Sequence, residues 1–294
     1  MELQKVGVGS FAALGVGTFL AFVIPLVIAL VWTFKKKEKF TTILVGAATF
    51  LLFAVILEKP IQNVLVFPTQ MGLAEHAASR FINARPLLWA LIVALFPGVF
   101  EETGRLVAFK TVLRKRKNRE TSISHGIGHG GFEVMFLLGL TYIGYFVYAF
   151  MINTGTFQTV IDQVIQKAPE QVDAVYAQAA QIAAFSFGDL AVGIVERIFA
   201  MLFHIGSSIL VFYACRDKGK FWLYPLAILL HAVFDFFAAL QLGKIITLSS
   251  WALEAIFAVI GVLVFCGAYF LLYKKDTIVD GLISFYNKKN VVEK

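Results

Sequence analysis

The stretch Leu91–Lys110, LIVALFPGVFEETGRLVAFK, decides the fold. It is apolar over most of its length, and a helix of ~20 residues crosses a hydrocarbon core ~30 Å thick. Yet two adjacent carboxylates, Glu101 and Glu102, and the guanidinium of Arg105 stand in its middle. Ionisable groups at such a depth are rare, expensive and usually functional. The question is whether the rest of the chain supports a membrane reading and supplies partners for these charges.

Composition supports it. The chain has 294 residues, of which 59% are hydrophobic and 15% charged, with a mean hydropathy of +0.78. A soluble globular chain has about a quarter of its residues charged. Seven apolar runs are long enough to span, at roughly 8–34, 41–57, 87–113, 122–152, 188–215, 221–242 and 250–273. The expected fold is therefore all-α, a polytopic helix bundle with about seven transmembrane helices plus interfacial helices. We read the chain as one integral-membrane domain over 1–294. The first run is too long for a signal-peptide core and lacks a basic leader, so it is read as a retained span. Cys215 and Cys266 fall at or within spans, without the spacing of a redox or zinc motif.

The formal charge of +7 is not a nucleic-acid signal, because it sits in short loops between spans. KKKEK (35–39), RKRKNR (114–119), RDKGK (216–220) and KKD (274–276) all fall on one side if crossings alternate. The positive-inside rule makes that side cytoplasmic. The expectation is a multi-pass protein of the cell membrane, with its N-terminus outside and its C-terminus inside. The outer segments 58–86 and 153–187 are long. The second carries Val160, Ile161, Val164, Ile165, Val172, Val175, Ala179 and Ile182 at helical spacing, which predicts helices lying at the interface. The tail DTIVDGLISFYNKK reads as another.

Other spans supply further polar groups. The fourth holds His125, His129 and Glu133 in SHGIGHGGFE. The fifth holds Glu196, Arg197 and His204, and the sixth His231 and Asp235 in HAVFD. Counted from the cytoplasmic ends at ~1.5 Å per residue, Glu101, Glu102, Glu133, His204, His231 and Asp235 fall ~15–21 Å deep. The same count puts His129 at ~10 Å and Glu196 at ~29 Å. Five acids against two arginines leave a formal charge of −3 in these helices. Protonated carboxyls, charged histidines, a metal ion or a water-filled cavity would neutralise it. The glycines of HGIGHGG suit close helix packing. Pro97-Gly98 is a candidate kink.

Three chemistries fit such a layer. Peptide-bond hydrolysis needs a base for water, an acid for the leaving amine and oxyanion donors, which a glutamate with nearby histidines provides. Metal hydrolysis is a second: His125, His129 and Glu133 repeat at four residues, and His231 with Asp235 would complete a set. The glutamate that follows the first histidine of HExxH is absent. A proton-coupled transporter is a third, since buried Glu, His and Asp also form relays.

EETGR, then FH and HAVFD on later spans, resembles the CAAX-protease and bacteriocin-processing superfamily of intramembrane endopeptidases. More narrowly, with GHGGFE and the ER preceding a histidine, the chain is similar to the YhfC family. The likeness covers about residues 95–240, which would be the catalytic core. It implies a membrane protease with a glutamate-activated water. Glu101 would be the general base, Glu102 its partner and Arg105 the residue orienting the pair. His204 would position the water, and His231 with Asp235 would stabilise the oxyanion. Three features depart from the superfamily pattern: the arginine is one residue closer, Phe199 lies five rather than four residues before His204, and Asp235 stands where asparagine is commoner. An ionised aspartate only accepts hydrogen bonds.

The reading put first is an intramembrane endopeptidase acting on a peptide or membrane-protein substrate in the bilayer, with no cofactor required and no nucleic-acid partner. Glu196 and Arg197 are supporting residues. The alternatives are a metal-dependent protease, with zinc as the metal and His125, His129 and Glu133 as candidate ligands, a proton-coupled transporter, and an immunity-type interaction protein.

Overall fold

The computed structural model describes residues 3–276. The expected tail helix lies, beyond Asp276, outside the described residues. Every regular element among the described residues is helical. Seven helices are long and apolar enough to cross a membrane: Val8–Lys36, Phe40–Val66, Pro86–Lys110, Glu120–Thr154, Phe187–Arg216, Leu223–Leu242 and Ser250–Tyr273. These are the first to seventh spans below. The second runs nine residues past its expected end at 57. Glu58-Lys59-Pro60 reads as a boundary, but Pro60 stands at the second position of the helical segment Lys59–Val66, and with no N–H it needs no acceptor in the preceding turn.

The chain forms two compact units. The larger takes Ile28–Phe132 and the residues from Ile198 on. Within it the helices meet backbone to backbone at glycines. A Cβ on Gly128 would overlap the Ile43 carbonyl of the second span, and one on Gly46 would overlap the His125 carbonyl of the fourth. A Cβ on Gly126 would lie 2.6 Å from Ile205 Cα of the fifth span, and one on Gly98 would lie 2.7 Å from the Ile228 carbonyl oxygen of the sixth. Small residues permit such approach in membranes, so the polar faces of these helices are drawn together.

The third span runs as one helix through Pro97. Proline has no N–H, so the Val93 carbonyl four residues earlier loses its helical donor. Gln62 of the second span replaces it, with Nε2 donating to Val93 O at 3.1 Å. A neighbouring helix thus satisfies the freed group, as the absence of water in a bilayer core requires. Between the fifth and sixth spans, Arg216 and Lys220 hold Asp217 at 2.7 and 2.9 Å. Burial raises the Asp217 carboxyl, but these two cations outweigh it and leave it below the usual aspartate range.

The smaller unit takes the chain up to Val27 and Glu133–Arg197. The segment expected to lie at the interface forms two helices, Gln158–Lys167 and Val172–Ala184. Of its apolar stripe, Ile161, Ala179 and Ile182 are buried with Leu14 and Tyr142, whereas Ile165 is exposed. Asn153 clamps the start of the first span, accepting from Val6 N and donating to Val6 O, both at 2.8 Å. Arg197 pairs with Glu133 at 2.8 Å and also with Glu196.

Candidate active site

Four spans of the larger unit bring their polar residues to one point. On the third span Glu102 and Arg105 are three residues apart, and Arg105 Nη1 donates to Glu102 Oε1 at 2.7 Å. Glu101 lies on the same helix, with Oε2 3.9 Å from the same nitrogen. The fourth span contributes His129, whose Nε2–H donates to Glu101 Oε2 at 2.8 Å. From the fifth comes His204, whose Nδ1 is 2.7 Å from Arg105 Nη2 and 3.9 Å from Glu101 Oε2. The sixth gives His231, with Nδ1 2.7 Å from Glu102 Oε1 and Nε2 4.0 Å from Glu101 Oε2. Glu101, Glu102, Arg105, His129, His204 and His231 are all buried. Asp235 stands one turn along from His231, its Oδ2 3.5 Å from Nε2 and its side chain 28% exposed.

Hydrogen-bond chemistry fixes the tautomers. A guanidinium only donates, so His204 Nδ1 accepts from Arg105, and a neutral ring carries its proton on Nε2. An ionised carboxylate only accepts, so His231 Nδ1–H donates to Glu102. That leaves the Nε2 lone pair of a neutral His231 directed toward Glu101 and Asp235. His129 donates from Nε2, and its buried Nδ1 has no hydrogen-bond partner among the described protein atoms.

The residues expected from the sequence divide. Glu101, Glu102, Arg105, His204, His231 and Asp235 come together. His125 does not join them: its Nε2 lies 3.3 Å from Thr49 Oγ1 and its Nδ1 3.2 Å from Ser208 Oγ. Glu133, Glu196 and Arg197 form the ion group of the smaller unit. The three metal candidates read from the spacing of four therefore do not assemble as one ligand set. Of that trio His129 bonds Glu101. The depth count had placed Glu133 level with Glu101 and His129 shallower. It assumed a third span reaching 113, but that helix ends at Lys110, nine residues beyond Glu101, and the fourth begins at Glu120, nine residues before His129. The two are level after all.

Two residues were missed. Ser208, one turn beyond His204, accepts from Arg105 Nε at 3.3 Å and so links the arginine to His125. Its spacing of four from His204 was the available signal. Glu58 is fully buried inside the second span, and the expected span end at 57 hid it.

Among the described residues the donor atoms that converge as a metal site are those of Glu101, His204 and His231, all within 4.8 Å of one another. One carboxylate with two imidazoles is a donor set of catalytic zinc. In a tetrahedral site with bonds of ~2.0–2.2 Å the donors stand ~3.3–3.6 Å apart, so the 3.9 and 4.0 Å separations from Glu101 Oε2 would close by about half an ångström around an ion. His231 also has the carboxylate behind it, on Nδ1, that orients metal-binding histidines. The residues fit a divalent cation. At His204 the fit has one condition: a cation on Nδ1 displaces the hydrogen bond from Arg105.

Comparison with known proteins gives the family. The "Uncharacterized membrane protein YhfC" of Bacillus subtilis (strain 168) is 32% identical over 246 residues, 83% of this chain and 89% of that protein. No solved structure matches. The family described as YhfC intramembrane metalloprotease matches residues 20–258. That description and the converging donors favour the metal-dependent alternative over the metal-free glutamate mechanism that the sequence reading put first. With its family pattern running through all four site-bearing spans, the chain belongs to the YhfC intramembrane metalloprotease family.

Proposed function

We propose that this protein is a metal-dependent endopeptidase that cuts a peptide or membrane-protein substrate within the bilayer, with Glu101, His204 and His231 as the ligands of a divalent metal such as zinc. The observation that carries the reading is the convergence of those three buried donors. Charge supports it. In the cluster, three acids (Glu101, Glu102 and Asp235) stand with one guanidinium (Arg105), a formal −2 that one divalent ion balances.

When bound, such a metal polarises the scissile carbonyl and lowers the pKa of a water to near neutrality. The chain's own residues prepare the site for this. Glu102 takes the His231 Nδ1 proton in a hydrogen bond and so keeps Nε2 turned inward. Arg105 neutralises Glu102. His129 steadies Glu101 through Oε2. Asp235, the most exposed acid of the group, is the one a substrate meets first; its Oδ2 would take a proton from the attacking water and return it to the leaving amine. The catalytic core is residues 95–240, and the basic loops face the cytoplasm. Kinship with the wider CAAX-type endopeptidases belongs to this proposal too, on the strength of the paired glutamates and the later histidines.

A second reading has one observation in its favour. Arg105 occupies His204 Nδ1, an arrangement that suits a metal-free site where Glu101 alone activates water. One experiment separates the two. The purified protein and Glu101→Gln are compared in detergent for bound metal by mass spectrometry and for cleavage of membrane-derived peptides, with and without a chelator. The metal-dependent reading expects about one equivalent of metal, lost in Glu101→Gln, and cleavage abolished by chelation and restored by zinc. Chelator-resistant cleavage by a metal-free protein establishes the second reading instead. Absence of cleavage by a folded, metal-loaded protein defeats the protease assignment.

A further inference from the structure

We propose that Glu58 is a substrate-recognition residue of this site, its carboxylate receiving a positively charged group of the substrate close to the bond that is cut. The inference rests on the protease reading above and names a feature of the substrate that the reading leaves open.

Position comes first. The second and third spans run antiparallel, and two contacts fix their register. Gln62 Nε2 bonds Val93 O, and a Cβ on Gly104 would lie 2.7 Å from Phe53 Cγ. Interpolation between them sets Glu58 opposite Pro97 and Gly98, three or four residues before Glu101. At ~1.5 Å per residue that is ~4.5–6 Å along the helix axis. An extended peptide covers that distance in one or two residues at ~3.3–3.6 Å each.

Chemistry comes second. Glu58 is fully buried, and its Oε2 has no hydrogen-bond partner among the described protein atoms. Its Oε1 is held by Lys59 Nζ at 3.1 Å, and the Lys59 side chain is 52% exposed. Adjacent residues on a helix do not face each other, so Lys59 reaches its partner by wrapping around the helix from the exposed side. An ammonium thus already enters this spot from outside, and a second oxygen is ready for another. Glu58 also closes a π-helical segment, Leu51–Glu58, a distortion frequent at functional sites. A lysine or arginine side chain, or a free amine, is the group that exchanges with Lys59.

The test uses two fluorescent apolar membrane peptides, identical except for one lysine replaced by norleucine. Binding to the full-length protein is measured in detergent, and cleavage is followed in parallel by mass spectrometry. A charge-assisted hydrogen bond predicts that wild type binds the lysine peptide roughly tenfold tighter. Glu58→Gln erases the preference, and Lys59→Gln enlarges it by removing the resident competitor. Equal binding of the two peptides by wild type, or a preference that survives Glu58→Gln, overturns the proposal. If Glu58→Gln does not fold, Lys59→Gln decides, and an unchanged preference overturns the proposal. A preference for lysine without any cleavage rejects the protease reading and keeps the recognition role. Cleavage without preference does the reverse.

Discussion

Glu102 Oε1 accepts two hydrogen bonds of 2.7 Å, from Arg105 Nη1 and from His231 Nδ1. One oxygen therefore joins the third span to the sixth and sets the imidazole that faces Glu101. Loss of such a carboxylate behind a ligand costs typically 10–100-fold in metal affinity. Glu102→Gln is expected to weaken metal binding by about that factor without abolishing it, whereas Glu101→Gln removes it. Titration against a competing chelator measures both, and unchanged affinity in Glu102→Gln would show that the carboxylate only braces the helices. The sequence made half of this visible. Spacing of three on one helix predicted the Glu102–Arg105 pair. The bond to His231 was not legible, because no local rule links residues 129 positions apart. Glu58 was concealed for a different reason: Glu-Lys-Pro has the chemistry of a helix end, yet the helix runs on to Val66.

The helices reach these distances because glycines let their backbones touch. Gly128 lies against the Ile43 carbonyl, where a Cβ has no room. Backbone cannot rotate aside as a side chain can, so Gly128→Leu is expected to cost more than the ~1–3 kcal/mol usual for overpacking. The readout is thermal stability in detergent, with Gly144→Leu as control, since a Cβ at Gly144 meets nothing within 4 Å. Equal melting temperatures for the two variants would contradict the packing described. That HGIGHGG serves close packing was legible from composition. Which helix each glycine meets was not, since a small residue announces an approach and leaves the partner unnamed. The helix also continues through the candidate kink at Pro97, where Gln62 supplies the missing donor from another span.

Seven spans and all-helical architecture followed from hydropathy alone, because a bilayer forbids unpaired backbone and leaves few alternatives. The site's members were legible as rare charges in apolar runs, but their grouping was not. The level of each residue depends on helix ends that shift by a few positions, as His129 and Glu133 demonstrate. The proposed orientation rests on the basic loops at 35–39, 114–119 and 216–220. A cysteine placed in the 114–119 loop is expected to react with an impermeant thiol reagent only after the cell membrane is opened. One placed near Gln70, between the second and third spans, should react in intact cells. The reverse labelling pattern would invert the topology.

The four spans that build the cluster also impose an order in time. Translation delivers Glu101 and Glu102 to the membrane more than a hundred residues before His231 leaves the ribosome. Until the sixth span docks, Glu102 lacks one of its two donors and the converging trio is incomplete. On the proposed ligand set, a nascent chain is expected to be inert toward its neighbours in the insertion machinery until that docking is complete.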